Sequence, residues 1–198
     1  SIAQNEMSKL LPDFMKMYPE IKIQFLVSNR RVEVINEGFD VALRVRANLD
    51  DDPNLVIRKF ENIEQHLFAS QAYLNEYGML KQPEELAEHR ILSMVEEHLD
   101  QQLSLHDKDN QQKKVKINPI VMGSDLIMIA KLASQNCGIA LLPDTVAEDF
   151  IRTGKLVRVL PEWKASHGIL HAVYPSRRGQ LPAVRVFIDY LVEHLTKR

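Results

Sequence analysis

Apolar positions along the chain switch repeatedly between helical and strand spacing. Met7, Leu10, Leu11, Phe14 and Tyr18 recur at helical spacing, and Pro19 closes that helix. Ile21, Ile23, Phe25 and Val27 then alternate as a strand. Ser28 or Asn29 is placed to cap a second helix over residues 30–37, ended by Gly38. The run Phe39–Val45 reads as a buried strand, and the polar stretch Ala47–Asn54, with Pro53, as a loop. Leu55–Lys59 and Glu64–Ala69 are expected as two further strands.

The same alternation continues downstream. Gln71–Tyr77 forms a short helix ending at Gly78, and Pro83 opens a helix over Pro83–Glu88. Arg90–Val95 is strand-like. Residues 96–114 are strongly polar and are expected to form a hairpin or a mobile loop. Lys113–Met122 has strand character interrupted by Pro119. Ser124 is expected to cap an apolar helix reaching about Asn136, followed by Gly138 and a buried strand, Ile139–Leu142. Pro143-Asp144 opens another helix that Gly154 closes. Leu156–Leu160 and Gly168–Tyr174 are strands, and Pro182–Leu195 is an amphipathic helix with Val184, Phe187, Ile188, Leu191 and Leu195 on one face. Strands separated by helices in this way imply parallel βαβ units, and two such blocks flank the polar stretch. Ligands of such sheets bind at the carboxyl ends of strands, where helix N-termini offer unpaired N–H groups to anions.

Composition narrows the function. The 198 residues are enough to bury a core, and 45% hydrophobic with 26% charged residues is ordinary globular composition. A net charge of -2 gives no basic excess, so direct DNA binding by this chain is not expected. No apolar run approaches the roughly 18 residues of a membrane span. The start, SIAQNEMSKLL, shows neither an initiator Met nor a basic-then-apolar leader, so a fragment lacking something N-terminal is expected. The single Cys137 precludes an internal disulfide and suits a reducing, cytoplasmic compartment.

Catalytic signatures are missing from the sequence: no GxGxxG, GxxxxGK[ST], GxSxG or HExxH occurs. Of the seven histidines only His167 and His171 stand four residues apart, within a strand-like run, and all seven read as surface or packing residues, so neither a metal nor a cofactor is expected. Cys137 reads as a buried structural thiol, against the alternative of a redox switch. Asp50, Asp51 and Asp52 read as a solvated loop, against the alternative of a cation site. Three junctions are more informative: Ser1 to Asn5, Ser28-Asn29-Arg30 and Gly123-Ser124-Asp125 each place short polar side chains at a helix start. Ordinary N-capping and ligand binding both account for them.

The stretches LLPDFMKMYPEIKIQF and RRVEVINEGFDVALRV resemble the effector-binding domain of LysR-type transcriptional regulators. The resemblance continues through LFASQAYLNEYG, QPEELAEHRIL, NCGIALLPDTVAED, GKLVRVLPEW and YPSRRGQLPAVRVFIDYL, in order and nearly end to end. Residues 96–117 diverge most. The resemblance implies an α/β fold of two Rossmann-like lobes joined by two crossover strands, like type 2 periplasmic-binding proteins. Residues 1–69 with 169–198 would form lobe I, and residues 70–168 lobe II. The family's DNA-binding winged helix-turn-helix and linker helix would precede this chain.

The function so implied is effector sensing and oligomerisation for a bacterial transcription regulator, not enzymatic catalysis. A small, anionic metabolite would bind in the cleft between lobes, held by Ser28, Asn29 and Arg30, by Ser124 and Asp125, and by Ser93 and Met94, with Ile2 and Met94 giving apolar contact. The partners implied are that effector, a second copy in a homodimer or tetramer, and DNA only through the absent domain, with no membrane. The dimer interface would use the first helix, where Leu10, Phe14 and Met17 face either a partner or the internal core. A transport solute-binding protein of the same fold is the alternative. The sequence upstream of Ser1 separates the two: a helix-turn-helix marks the regulator, a signal peptide the transporter.

Overall fold

A computed structural model of the chain describes residues 2–28, 32–46, 49, 52–94 and 102–196, with backbone alone for 2–4, 166–167 and 180. The elements, in chain order, are α1 (Ile2–Met17), β1 (Ala42–Arg46), β2 (Leu55–Ala69), α2 (Gln71–Tyr77), a 3-10 helix (Pro83–Glu88), β3 (Ile91–Met94), β4 (Gln102–His106), β5 (Gln112–Lys116) and β6 (Pro119–Gly123). They continue with α3 (Leu126–Ser134), β7 (Ile139–Pro143), α4 (Asp144–Arg152), β8 (Val157–Val159), β9 (Lys164–Pro175), a short 3-10 turn (Arg178–Gln180) and α5 (Pro182–Leu195). The residues group into two compact units, Glu64–His167 and Ile2–Ile63 with Gly168–Arg198. The chain passes from one to the other within β2 and within β9.

In the unit Glu64–His167, β3 pairs in parallel with both β6 and β7. The end of β2 runs antiparallel to β7 and to β8. Leu67, Tyr73, Leu86, Leu105 and Ile139 are fully buried in its core. From residue 102 on, the polar stretch expected as a hairpin or loop is a hairpin: β4 pairs antiparallel with β5 from Gln102↔Lys116 to His106↔Gln112. Asp107 Oδ1 accepts from the N–H groups of Asp109 and Gln111, and Asn110 takes φ 58°. Asn tolerates that left-handed conformation through its short polar side chain.

The backbone of one residue ties several of these elements together. The Arg90 N–H donates to the Tyr73 hydroxyl at 3.0 Å, and the Arg90 carbonyl accepts from the Ile139 N–H at 2.8 Å. The Tyr73 hydroxyl lies 3.1 Å from His89 Nδ1. Ser70 Oγ accepts from the Tyr73 N–H, capping α2, and donates to Asn136 Oδ1 at 2.6 Å. Gly138 packs against the same strand end, where a Cβ would sit 2.5 Å from the Arg90 carbonyl oxygen. Cys137, expected to be buried, is only partly so, with Sγ 3.7 Å from the Gln135 carbonyl.

In the unit Ile2–Ile63 with Gly168–Arg198, β1 pairs antiparallel with β9, from Ala42↔Val173 to Arg46↔Ile169. Helix α1 packs on α5. Phe14 is fully buried, its ring 5.0 Å from Tyr18, 5.2 Å from Phe187 and 5.1 Å from Tyr190. The Tyr190 hydroxyl donates to the Leu10 carbonyl at 2.9 Å. Leu10 and Phe14 therefore face the internal core, and Met17 alone of that trio is exposed.

Several expected elements differ. The helix expected over residues 30–37 is a single turn in the described residues, with Glu37 N–H donating to the Glu33 carbonyl and Gly38 at φ 76° ending it. Residues 29–31 lie outside the described residues. The strand expected over 21–27 has no pairing among the described residues. The two strands expected over 55–69 form one, because the residues between them continue it, with Phe60 and Ile63 buried, Glu61 half-buried and Asn62 exposed. Pro119 splits the next expected strand into β5 and β6, since proline lacks the N–H that a ladder needs. Asp125, not Ser124, caps α3: its carboxylate accepts from Ile127 and Met128 N–H at 2.8 and 3.3 Å.

Three outcomes follow from these contacts. Gly138→Ala forces β3 and β7 apart and costs about 1–3 kcal/mol or more in urea denaturation, as steric insertions do. Asp125→Ala removes a helix cap and lowers stability by about 1 kcal/mol, whereas Ser124→Ala leaves the same denaturation midpoint unchanged. Burial holds the His89 imidazole below its ordinary value, against the opposing pull of Glu85 and Glu88. The unfolded chain then binds the proton more readily, so stability falls as pH drops below about 6.5. A His89→Gln variant followed by thermal melts at pH 5 and 8 loses part of that pH dependence.

Candidate functional site

The parallel pairing of β3 with β6 decides which expected site residues meet. Ser93 stands opposite Met122, and Met94 opposite Gly123. Ser124 and Asp125 follow directly and lead into α3. Ser93, Met94, Ser124 and Asp125 therefore gather at the carboxyl ends of two parallel strands, beside a helix start, which is the position where α/β sheets take ligands. Ser93 and Met94 are half-buried, and Ser93 Oγ donates to the Met94 carbonyl at 3.3 Å. Ser124 and Asp125 are exposed.

The electrostatics of this corner differ from those expected. The N–H groups of Ile127 and Met128, which would greet an anion, are already taken by the Asp125 carboxylate. A second carboxylate placed there meets like charge. The corner favours hydroxyl or amide hydrogen bonds from Ser93 and Ser124 alongside the Met94 side chain.

The other expected contacts belong to the second unit. Ile2 is the first residue of α1, and Ser28 is an exposed residue after the unpaired segment 21–27. Asn29 and Arg30 lie outside the described residues. Sequence patterns missed a cavity of about 610 Å³ in this unit, lined by Glu33, Arg44, Asp52, Asn54, Ser176 and Arg177 among others. None of the expected site residues that are described lines it. Arg44 Nη2 donates to the Val32 carbonyl, and Asp52 Oδ1 accepts from the Asn54 backbone and side chain. The one sequence signal was Arg44 itself, a charge inside a strand otherwise read as buried.

Three of the described histidines make local structural contacts. His66 is buried with Nδ1 2.9 Å from Asp144 Oδ1, an oxygen that also accepts from Arg158 at 2.7 Å. His171 and His194 each approach a backbone carbonyl at 2.8 Å. Among the described residues no group of three or more His, Cys, Asp or Glu side chains could hold a metal, and no helix is long and apolar enough to cross a membrane.

Comparison with known proteins places this arrangement. Residues 1–196 match the family model of the LysR substrate binding domain. An HTH-type transcriptional regulator of Xanthomonas campestris is 31% identical over 189 residues, covering 94% of this chain and 54% of the relative. The HTH-type transcriptional regulator CrgA of Neisseria meningitidis is 31% identical over 191 residues, covering 96% and 62%. The chain thus spans little more than half the length of these relatives. Among solved structures, the CrgA regulatory domain from Neisseria meningitidis superposes with a TM-score of 0.82 at 29% identity, covering 98% of this chain and 94% of that one. Full-length AphB of Vibrio cholerae, described as a virulence activator of the LTTR family, gives 0.80 at 26%, covering 96% and 63%. The fold is the α/β fold of those regulatory domains, type 2 periplasmic-binding-protein-like as expected, and the regulator likeness sets the transport alternative aside. By the match of its whole length, the chain belongs to the LysR substrate-binding domain family.

Proposed function

We propose that this chain is the effector-sensing and self-associating part of a LysR-type transcription regulator, with DNA contacted by a separate domain and no chemistry of its own. The family match over residues 1–196 carries this proposal. The corner made by Ser93, Met94, Ser124 and Asp125 supplies the binding chemistry, and it suits a small molecule with hydroxyl or amide groups more than a bare carboxylate. An effector shifts such a regulator only by binding one arrangement of the protein better than another.

Self-association rests on a second observation. Two clusters of large apolar side chains stand exposed. One is Met15, Met17 and Tyr18 at the end of α1, followed by Phe25, Leu26 and Val27. The other is Ile120 and Met122 on β6, followed by Ile127 and Met128 on α3. Among the described residues β6 stands at one end of its ladder, paired with β3. Exposed large apolar groups that follow one another along the chain in this way support an interaction surface. A second copy offers each cluster the other, and a two-fold pair then makes the contact twice.

A thermal-shift screen of small polar metabolites tests the sensing role. A true effector at 100 times its dissociation constant stabilises the protein by about 2.7 kcal/mol. Ser124→Ala is expected to weaken that effector about tenfold without changing the melting temperature of the free protein. Unchanged affinity in calorimetry removes Ser124 from the site. Sedimentation velocity tests association: the protein is expected to dimerise, and Met128→Glu to leave monomers.

A further inference from the structure

We propose that the methionines on these two apolar clusters make self-association sensitive to oxidation, so that peroxide releases protomers and a sulfoxide reductase restores the pair. This inference rests on the dimer proposed above. Of the seven methionines, Met7 is buried and Met94 half-buried. Met15, Met17, Met122 and Met128 are 57%, 54%, 53% and 56% exposed, and Met79 is 63% exposed. Four of the five exposed ones thus fall on the two clusters, two on each. A side chain that ordinarily fills cores is here turned outward at the positions where a partner would cover it.

The chemistry needs only a hydroperoxide. A thioether sulfur attacks one peroxide oxygen, the O–O bond breaks as the S–O bond forms, and the leaving hydroxide takes up the remaining proton as water. Sulfur loses two electrons and the peroxide gains them. The product is a polar sulfoxide where an apolar methyl thioether stood, and such groups disrupt methionine-rich interfaces. The attack falls on the free protomer, whose sulfurs are open to solvent, and the oxidised protomer re-forms the pair poorly. Cys137 is the competing target, and it lies outside both clusters.

Sedimentation equilibrium in a Cys137→Ser background separates methionine chemistry from thiol chemistry. Hydrogen peroxide is added, peptide mass mapping counts sulfoxides at each position, and circular dichroism confirms that the fold persists. With Met15, Met17, Met122 and Met128 oxidised, the dimer dissociation constant is expected to rise about tenfold or more, from loss of apolar burial. Methionine sulfoxide reductase is expected to reverse it. Replacing those four residues with leucine, close to methionine in volume, is expected to keep association and abolish the peroxide effect. Met79→Leu is expected to leave the effect intact. Dimers as tight after oxidation as before, or a four-leucine variant as sensitive as its parent, overturn the proposal while leaving the dimer standing. An untreated protein that stays monomeric at all concentrations overturns the dimer itself, and this inference with it.

Discussion

The architecture around the candidate site depends on the backbone of Arg90, held on both sides of its Cα. Its N–H is fixed by a tyrosine hydroxyl and its carbonyl by the Ile139 N–H. That carbonyl sits where only a residue without a Cβ fits at position 138. The contact sets β3 beside β7 at the point where β3 begins. β3 in turn aligns β6, and the register of that pair brings Ser93 and Met94 level with Met122 and Gly123. A shift of one residue would turn every side chain of β3 to the opposite face and dissolve the corner. The helix cap at Ser70 and the left-handed Asn136 brace the same turn from the other side.

Polar side chains at a helix start have two uses that compete for the same atoms. At α3 the competition is resolved between neighbours: Asp125 spends its carboxylate on the helix, which leaves the Ser124 hydroxyl uncommitted to the cap. The charge of the cap then shapes what is welcome nearby. A helix N-terminus attracts anions only while its N–H groups and partial charge are unopposed. Here a built-in carboxylate already occupies that position, which is why the ligand proposed above is a neutral polar one.

The two exposed apolar clusters show the opposite economy. The inner face of α1 is spent on aromatic packing against α5, with Phe14 surrounded by three rings. Met15 and Met17 on its outer side stand exposed, at a cost of about 25 cal/mol per Å² of apolar surface left in water. Methionine suits a surface that alternates between wet and covered states, because its flexible, polarisable side chain adapts to either. The same sulfur is open to oxidation when uncovered, which joins assembly to redox chemistry through one residue type.

Hydrophobic spacing alone determined the order of most elements, including α1, α2, β7, α4 and α5, because those segments bury one face at a regular period. Motif order alone determined the family. Spacing could not separate a strand from a turn where tertiary pairing decides, as in the unpaired segment 21–27 and the single turn after residue 32. It could not show that Leu10 and Phe14 turn inward, because a helix with apolar residues on two faces fits a core or a partner equally. Whether Ser124 or Asp125 caps α3 depended on backbone geometry of an ångström or less. The gathering of Ser93 with Ser124, thirty-one positions apart in the chain, is a product of strand register, and register exists only once the sheet has formed.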